Sequence, residues 1–283
     1  MTAETEPTHP TQHLIPSTDG FTIAVHDWAG SGPTIVFCHA TGFHGRVWDP
    51  IIADLRDVAR CVAIDLRGHG DSAVTEGLVA NGSDAWNDVL AVIDALELGS
   101  GLLSVGHSLG GGTIVVTEMQ RPGTFADGWL VEPILIPKDY KRDQGPSLAD
   151  LARRRREVFA SRDEVFNRYM SRPPFSNCDP TMVRAYVDYG FRDLDDGTVI
   201  LKCRGETEAW LFEHTTWVDH ELLADVATPF TLVGTGDGGI PALIAKDAAE
   251  ALANGRFQFE ADLTHFAPLE DPAWAARHIR AMI

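Results

Sequence analysis

Residues 101–111 read GLLSVGHSLGG, and this stretch decides the fold. Its first five residues form a short apolar run typical of a β-strand, and a helical pattern opens at Leu109. Glycines stand two positions before and after Ser108, as a very sharp strand-to-helix turn requires. Such a turn exposes the Ser108 hydroxyl as a nucleophile and places the backbone N–H of Leu109 where it can bind an oxyanion. The competing interpretation is a glycine-rich turn without chemistry.

Strand-like and helix-like segments alternate on both sides of this turn. The predicted strands are 21–28, 34–37, 61–64, 102–105, 129–131, 230–233 and 257–260, and the predicted helices are 84–98, 109–120, 244–252 and 273–283. Strands that alternate with helices form a mostly parallel sheet covered on both faces. The sequence therefore predicts an α/β fold.

The alternation breaks between residues 137 and 228, where no core strand is evident. The helical patterns in this segment are 148–159, 162–169, 181–189 and 206–214. The segment carries 14 Lys and Arg against 17 Asp and Glu, so most of the net charge of −18 lies outside it. We expect a flexible tail at residues 1–13, a core domain formed by residues 14–136 and 229–283, and a helical lid formed by residues 137–228.

Composition narrows the setting and the partners. A net charge of −18 disfavours nucleic acid and anionic membranes, both of which require clustered Lys and Arg. No apolar stretch approaches the roughly 18 residues of a membrane helix, and no signal peptide is recognisable. The four cysteines are Cys38, Cys61, Cys178 and Cys203, and they are too far apart to suggest a zinc knuckle or a disulfide framework. A soluble, cytoplasmic protein, monomeric or homodimeric, is expected.

Two further loops resemble motifs of the α/β-hydrolase family. Residues 38–43, CHATGF, resemble its His-Gly-x loop with Ala40 in place of glycine, and Trp48 follows at a position where the family often carries tryptophan. Residues 65–72, DLRGHGDS, resemble its D-x-R-G-x-G-x-S loop, to which we assign only structural support. The resemblance spans residues 21–283 and implies an eight-stranded sheet with an inserted helical lid. It also implies that the backbone N–H of Thr41 is the second oxyanion donor, beside Leu109.

His265 is the predicted base, because a serine hydroxyl needs a group that can accept and return its proton near neutral pH. It follows the last predicted strand in residues 263–272, LTHFAPLEDP, which resemble the family's H-x-x-P-x-E-x-P ending. His39 and His107 flank the two motifs and are predicted to be structural. His9 and His13 fall in the predicted tail.

Two carboxylates compete to orient His265. Asp237 follows the strand 230–233 and arrives between serine and histidine in chain order, as the family's acid usually does, so it is favoured. The alternative is Glu132, at the end of the strand that precedes residue 137, where it could instead line the substrate pocket.

The resulting hypothesis is a serine hydrolase that cleaves a carboxylic ester or lactone through an acyl-enzyme on Ser108. No cofactor or metal is expected. The same residues suit a carbon–carbon bond hydrolase of a diketone, a cofactor-free perhydrolase or haloperoxidase-type enzyme, or a ligand receptor. An aspartate nucleophile, as in epoxide hydrolases and haloalkane dehalogenases, is disfavoured because position 108 is serine.

The substrate is a small molecule whose pocket the sequence outlines only loosely. The candidate pocket residues are Phe43, Glu132, Trp210, Phe212 and Trp217, and the aromatic ones among them equally suit ordinary packing. Residues 153–156, RRRR, could attract an anion. Because successive residues point around a helix, the favoured interpretation is a solvated surface that pairs with acidic neighbours.

Overall fold

The computed structural model describes residues 9–72, 84–138, 140, 147–214, 217–236 and 238–283. In chain order its strands are β1 (Thr11–Pro16), β2 (Thr22–Trp28), β3 (Thr34–Cys38), β4 (Arg60–Ile64), β5 (Leu102–His107), β6 (Phe125–Val131), β7 (Ile136–Pro137), β8 (Val158–Phe159), β9 (Phe191–Asp193), β10 (Val199–Leu201), β11 (Trp217–Val218), β12 (Phe230–Thr235) and β13 (Arg256–Glu260). Each strand predicted for the core is present within a few residues of its expected bounds.

Eight of these strands form one sheet in the order β1-β2-β4-β3-β5-β6-β12-β13. The pairs β1–β2 and β2–β4 are antiparallel, and the remaining pairs are parallel. Neighbours β6 and β12 are far apart in sequence but run side by side, with Phe230 opposite Gly128 and Val233 opposite Val131. The predicted α/β architecture with a mostly parallel eight-stranded sheet is confirmed.

Helices cover both faces of this sheet. They are α1 (Asp49–Ala53), α2 (Ala85–Ala95), α3 (Leu109–Gln120), α4 (Leu148–Arg153), α5 (Arg162–Met170), α6 (Pro180–Gly190), α7 (Gly205–Glu213), α8 (Ile240–Ala251), α9 (Ala267–Glu270) and α10 (Pro272–Arg280). Strand β3 shows the layering, since Ile35 and Phe37 enter one apolar core and Val36 and Cys38 enter the other. A strand buried on both faces reads as an unbroken apolar run, which is why its sequence was recognisable.

The predicted tail is wrong for residues 11–13, which belong to β1. This strand pairs antiparallel with β2, from Thr11 opposite Asp27 to Pro16 opposite Thr22. It lies at the sheet edge, where Ile15 is its buried residue and the others are wholly or partly exposed. An edge strand with one buried side chain carries almost no hydrophobic period, so its sequence resembles that of a tail.

Residues 137–228, called the insert below, contain helices α4 to α7 but also strands. Strands β8, β10 and β9 form a three-stranded antiparallel sheet, so the prediction of a purely helical segment is wrong. The helix predicted for 148–159 ends at Arg153, and Phe159 lies in β8. At the insert's two ends, β7 pairs in parallel with β11.

Among the described residues, none of the helices combines the length and the apolar character needed to cross a bilayer.

Candidate active site

Ser108 occupies the predicted turn between β5 and α3. Its backbone angles are φ 53° and ψ −116°, a conformation that L-residues rarely adopt. A β-carbon on Gly106 would lie 2.6 Å from the Cα of Gly111, and one on Gly110 would lie 2.3 Å from the carbonyl oxygen of Cys38. Both glycines are therefore required by close backbone approach, and Ser108 itself is almost fully buried at the base of a cavity.

His265 lies in the loop between β13 and α9 and contacts a carboxylate. Its Nδ1 is 2.6 Å from Oε2 of Glu132. The carboxylate is buried, with 3% of its side chain exposed, whereas the imidazole is 34% exposed. The other oxygen, Oε1, accepts hydrogen bonds from the backbone N–H and the hydroxyl of Thr235, both at 2.8 Å. With Nδ1–H donating to Glu132, the lone pair of His265 remains on Nε2, the form that a general base requires.

This geometry supports the alternative carboxylate, and the preference for Asp237 stays a prediction. Asp237 lies outside the described residues, and the carboxylate that meets His265 is Glu132, the alternative. Strands β6 and β12 are neighbours, so carboxylates at the ends of either strand reach the same edge of the sheet. The order of residues along the chain favours one carboxylate over the other, but it does not show which of them contacts His265.

His107 restrains the loop that carries His265. Its Nε2–H donates to the backbone carbonyl of His265 at 2.7 Å, and the two rings lie 5.0 Å apart. Burial, reinforced by the proximity of His265, lowers the pKa of His107 to about 3, so its ring is neutral at physiological pH. This agrees with the structural role expected for His107.

Two buried histidines hold the loop of residues 38–43. His69 Nε2 accepts the backbone N–H of Gly42 at 2.9 Å, and His39 Nε2 accepts that of Leu66 at 3.0 Å. Burial lowers the pKa of both imidazoles, so each ring can act as an acceptor. The carbonyl of His39 in turn accepts the N–H of Gly110 in α3, at 3.1 Å. The loop that carries Thr41 is thus fixed to the helix that begins at Leu109.

Asp65 binds the segment that follows this loop. Its carboxylate accepts the backbone N–H groups of Gly45 at 2.6 Å and Asp71 at 2.7 Å, and it faces His26 at 3.3 Å. Burial alone would raise the pKa of Asp65, but the interactions with His26 and neighbouring histidines hold it well below the usual range. His26, Asp65 and Asp71 could in principle hold a metal ion. However, Asp65 is satisfied by protein donors, and Asp71 pairs with Lys202 at 2.5 Å.

A cavity of about 630 Å³ lies above Ser108. It is lined by Ala40, Thr41, Gly42, Phe43, Ser108, Leu148, Leu151, Ala152, Arg155, Tyr169, Arg172, Pro173, Pro174, Phe175, Tyr186, Glu208, Phe212, His265 and Phe266. The structure therefore brings together Ser108, His265, Thr41, Phe43 and Phe212 at one cavity. Most of the wall is aliphatic or aromatic, which suits an apolar substrate portion.

The other predicted pocket residues lie elsewhere. Trp210 is not among the described residues that line this cavity, and its indole stacks on His214 at 3.7 Å. Glu132 is behind His265 instead of on the cavity wall, which corrects its assignment as a pocket residue. The side chain of Trp217 lies outside the described part of the chain.

A partly buried ion pair from the insert reaches the cavity, and sequence reasoning missed it. The Arg155 guanidinium donates to Glu208 at 2.5 Å and to the hydroxyl of Tyr186 at 2.9 Å. That hydroxyl donates to the carbonyl of Gly42 at 3.2 Å. Burial alone would lower the pKa of Arg155, but Tyr186, Glu208 and Tyr169 hold it well above the usual value.

The four arginines of residues 153–156 therefore do not behave as one surface. Arg153 pairs with the exposed Glu206 and with Glu213, and Arg156 pairs with Glu164, as the solvated interpretation expects. Arg155 is different because α4 ends at Arg153. The argument that successive residues point around a helix does not apply after that residue. A prediction of where α4 ends would have shown that Arg155 can point in a different direction.

The fold and site can be compared with known proteins. The family model described as "Alpha/beta hydrolase family" matches residues 35–278. A 2-(acetamidomethylene)succinate hydrolase of Mesorhizobium japonicum is 37% identical over 94 residues, which are 33% of this chain and 33% of that protein. An esterase of Mycobacterium tuberculosis is 35% identical over 106 residues, 37% of this chain and 34% of that protein. The matches thus span about a third of the length of these two curated relatives.

A solved structure extends the likeness of the fold to nearly the whole chain. The crystal structure of E-2-(acetamidomethylene)succinate hydrolase superposes with a TM-score of 0.78, covering 96% of this chain and 98% of that one. The sequence identity in this superposition is 19%. At that identity the comparison shows a common fold.

Proposed function

Because the chain belongs to the alpha/beta hydrolase family, we propose that it is a serine hydrolase that cleaves a carboxylic ester or lactone through an acyl-enzyme on Ser108. One observation carries the proposal. His265 bonds to the buried Glu132 through Nδ1 and lines the same cavity as Ser108. A base that a carboxylate holds in one tautomer, beside a serine on a strained turn, is the arrangement that activates a hydroxyl nucleophile.

The proposed mechanism assigns one role to each group. Ser108 attacks the carbonyl carbon while Nε2 of His265 takes the hydroxyl proton, and Glu132 stabilises the resulting imidazolium. The backbone N–H groups of Thr41 and Leu109 hold the tetrahedral oxyanion. His265 then protonates the leaving oxygen. Water, deprotonated by the same histidine, attacks the acyl-enzyme and releases the acid product.

The relatives support hydrolytic chemistry of this kind. One is named an esterase and the other a hydrolase of 2-(acetamidomethylene)succinate. Side chains of the insert, including Leu148, Leu151 and Arg155, line the cavity above Ser108. We propose on this basis that the insert is the lid that determines which substrate enters.

Replacement of Ser108 tests the nucleophile. We expect wild type to hydrolyse short-chain p-nitrophenyl esters and to be labelled by a fluorophosphonate, and Ser108→Ala to lose both. Residual turnover should fall by at least about a thousandfold, because the covalent route is removed. Circular dichroism of both proteins controls for folding. Equal labelling of the two proteins would refute the role of Ser108.

A substrate panel distinguishes the reaction classes. Short-chain p-nitrophenyl esters, lactones and a ring-cleavage diketone should be compared at equal enzyme concentration. Ester or lactone turnover supports the proposal, whereas turnover of the diketone alone would assign the site to carbon–carbon bond hydrolysis. Stoichiometric hydrolysis followed by tight product retention would indicate a receptor.

A further inference from the structure

The cavity above Ser108 carries a positive charge in an acidic protein. The whole chain has a net charge of −18. The formally charged residues on the cavity wall are Arg155, Arg172 and Glu208, two cations and one anion, apart from the titratable His265. The net charge of the cavity wall is therefore opposite in sign to that of the whole molecule. The contacts of each arginine show which of them provides this charge.

Arg155 does not provide a free cation, because its charge is already compensated. It pairs with Glu208 at 2.5 Å and donates to the hydroxyl groups of Tyr186 at 2.9 Å and Tyr169 at 3.4 Å. The guanidinium thus binds the Tyr186 hydroxyl, which in turn donates to the carbonyl of Gly42. An incoming anion would have to compete with a buried carboxylate at this position.

Arg172 is the uncompensated cation. It follows α5, its side chain is exposed, and it lines the cavity beside Pro173, Pro174 and Phe175. Within the parts of the chain that the structure describes, its guanidinium forms no ion pair. Most other arginines of the insert do pair, including Arg153, Arg156, Arg162 and Arg184.

We propose that Arg172 recognises a carboxylate on the substrate, so that the physiological substrate is an ester or lactone that carries a carboxylate away from the scissile bond. This rests on the proposed function and specifies its substrate class. The lining fits such a molecule, because apolar residues form much of the wall around Ser108 and Arg172 lines the same cavity. A guanidinium binds a carboxylate through two parallel hydrogen bonds.

Matched pairs of esters test this inference. Monomethyl glutarate and methyl pentanoate differ only in that a carboxylate replaces a methyl group on the acyl side. The second pair is the 4-acetoxybutanoate anion and neutral butyl acetate, in which a carboxylate replaces a methyl group on the alcohol side. Release of acid in a pH-stat gives kcat/KM for each compound with wild type, Arg172→Gln and Arg168→Gln. Arg168 is an exposed arginine of the preceding helix α5 that does not line the cavity, so it is a control with the same loss of charge.

We expect wild type to prefer the charged member of at least one pair by about tenfold in kcat/KM, as a charge-assisted hydrogen bond provides. Arg172→Gln should abolish this preference, and Arg168→Gln should retain it. The preference should also weaken as salt is added, because the contact is partly exposed. Equal kcat/KM within both pairs, or a preference that survives in Arg172→Gln, would overturn the inference.

Binding separates this inference from the proposed chemistry. If wild type hydrolyses none of the four esters, calorimetric titration of Ser108→Ala with each pair measures the same discrimination without turnover. Tighter binding of a charged member that disappears in Ser108→Ala/Arg172→Gln supports carboxylate recognition even if the chemistry is different. Equal binding within both pairs refutes it. Failure of the chemistry and failure of the recognition thus give different results.

Discussion

Both carboxylate oxygens of Glu132 are occupied, and each faces a different part of the site. Oε2 meets His265, and Oε1 is held by the backbone and hydroxyl of Thr235. The residue has a positive φ of 41°, a conformation that residues other than glycine rarely adopt. A carboxylate with both oxygens bound and little exposure has one orientation available, so it fixes the ring of His265.

Glu132→Gln tests this assignment at the scale of one residue. The amide keeps the volume but removes the charge, so it neither stabilises an imidazolium nor holds the required tautomer. We expect kcat to fall by about 10³- to 10⁴-fold, with KM and the circular dichroism spectrum little changed. Steady-state kinetics on a p-nitrophenyl ester provides the measurement.

Asp237→Asn is the matched comparison for that variant. The same carboxylate-to-amide change is made at the end of the neighbouring strand, and we expect kcat to change by less than about tenfold. A large loss in Asp237→Asn with normal kinetics in Glu132→Gln would show that the acid is Asp237.

Ser108 and His265 could be proposed from sequence because each lies in a local motif beside a strand end, and the structure places both at one cavity. The acid could not be assigned with equal security. Glu132 and Asp237 follow β6 and β12 in the sequence, and the sequence does not show that those two strands are neighbours in the sheet. Arg155 was missed for a different reason, since its orientation depends on where α4 ends. In each case the sequence shows which residues are present, but their contacts depend on how distant parts of the chain pack together.

At the scale of elements, the loop of residues 38–43 is held from two directions. His39 binds Leu66 and His69 binds Gly42, which joins the loop to the core, and Tyr186 of α6 binds the carbonyl of Gly42 from the insert. Tyr186 also stacks on His44 with ring centroids 5.7 Å apart. The position of the proposed oxyanion donor Thr41 thus depends on contacts with the insert as well as with the core.

Tyr186→Phe removes one hydroxyl from that connection. The carbonyl of Gly42 loses its donor, and Arg155 loses an acceptor. We expect kcat/KM to fall by about tenfold and the free energy of unfolding to fall by about 1 kcal/mol, the net contribution of a typical hydrogen bond. Ester kinetics and urea denaturation measure the two effects.

Tyr189→Phe is the control on the same helix. Its ring lies against the guanidinium of Arg46 at 3.7 Å, a contact that phenylalanine preserves, and its hydroxyl bonds to the same arginine, so this variant also loses a hydroxyl–arginine contact. We expect kcat/KM to remain within about twofold of wild type. Equal losses in the two variants would mean that α6 supports the fold but does not hold the loop.

The elements themselves were predictable in proportion to their burial. Strands β3 and β5 are enclosed on both faces, and their sequences are mainly apolar, with Ser104 interrupting the run in β5. Helix α3 was predicted at its observed bounds, Leu109–Gln120. The short strands β8, β9 and β10 have two or three residues each, which is too few for a period to be visible in the sequence.

At the scale of the whole molecule, four buried histidines surround the site with lowered pKa values. Burial lowers the pKa of His44 to about 4 and that of His107 to about 3, and it lowers the values of His39 and His69 as well. Each ring is neutral in the folded protein and takes up a proton on unfolding below about pH 6.5. The unfolded state therefore binds more protons than the folded state.

Stability should accordingly fall on acidification. Each of these histidines contributes stability that is complete above its unfolded pKa of about 6.5 and is lost as the pH falls toward its folded pKa. The loss approaches about 1.4 kcal/mol per pH unit for each histidine. Asp65, whose pKa is lowered, loses its contribution only below about pH 4, outside this range. Urea denaturation at pH 7, 6 and 5 should show a steep decline in the free energy of unfolding.

His107→Gln serves as the comparison in those titrations. The glutamine amide can still donate to the carbonyl of His265 but does not titrate. The decline between pH 6 and pH 5 should be shallower than in wild type by up to about 1.4 kcal/mol. An unfolding free energy that is independent of pH in wild type would contradict the neutral, buried state of these rings.

The pairing of β7 with β11 joins the two ends of the insert. Ile136 lies opposite Trp217 and Pro137 lies opposite Val218, and His220 bonds to the carbonyl of Leu135 at 2.7 Å. The chain therefore leaves the core and returns to it at nearly the same point. If the insert is the lid that we propose, substitutions between residues 138 and 216 that spare Arg155 and Tyr186 should change substrate preference while Ser108, Glu132 and His265 keep their spacing.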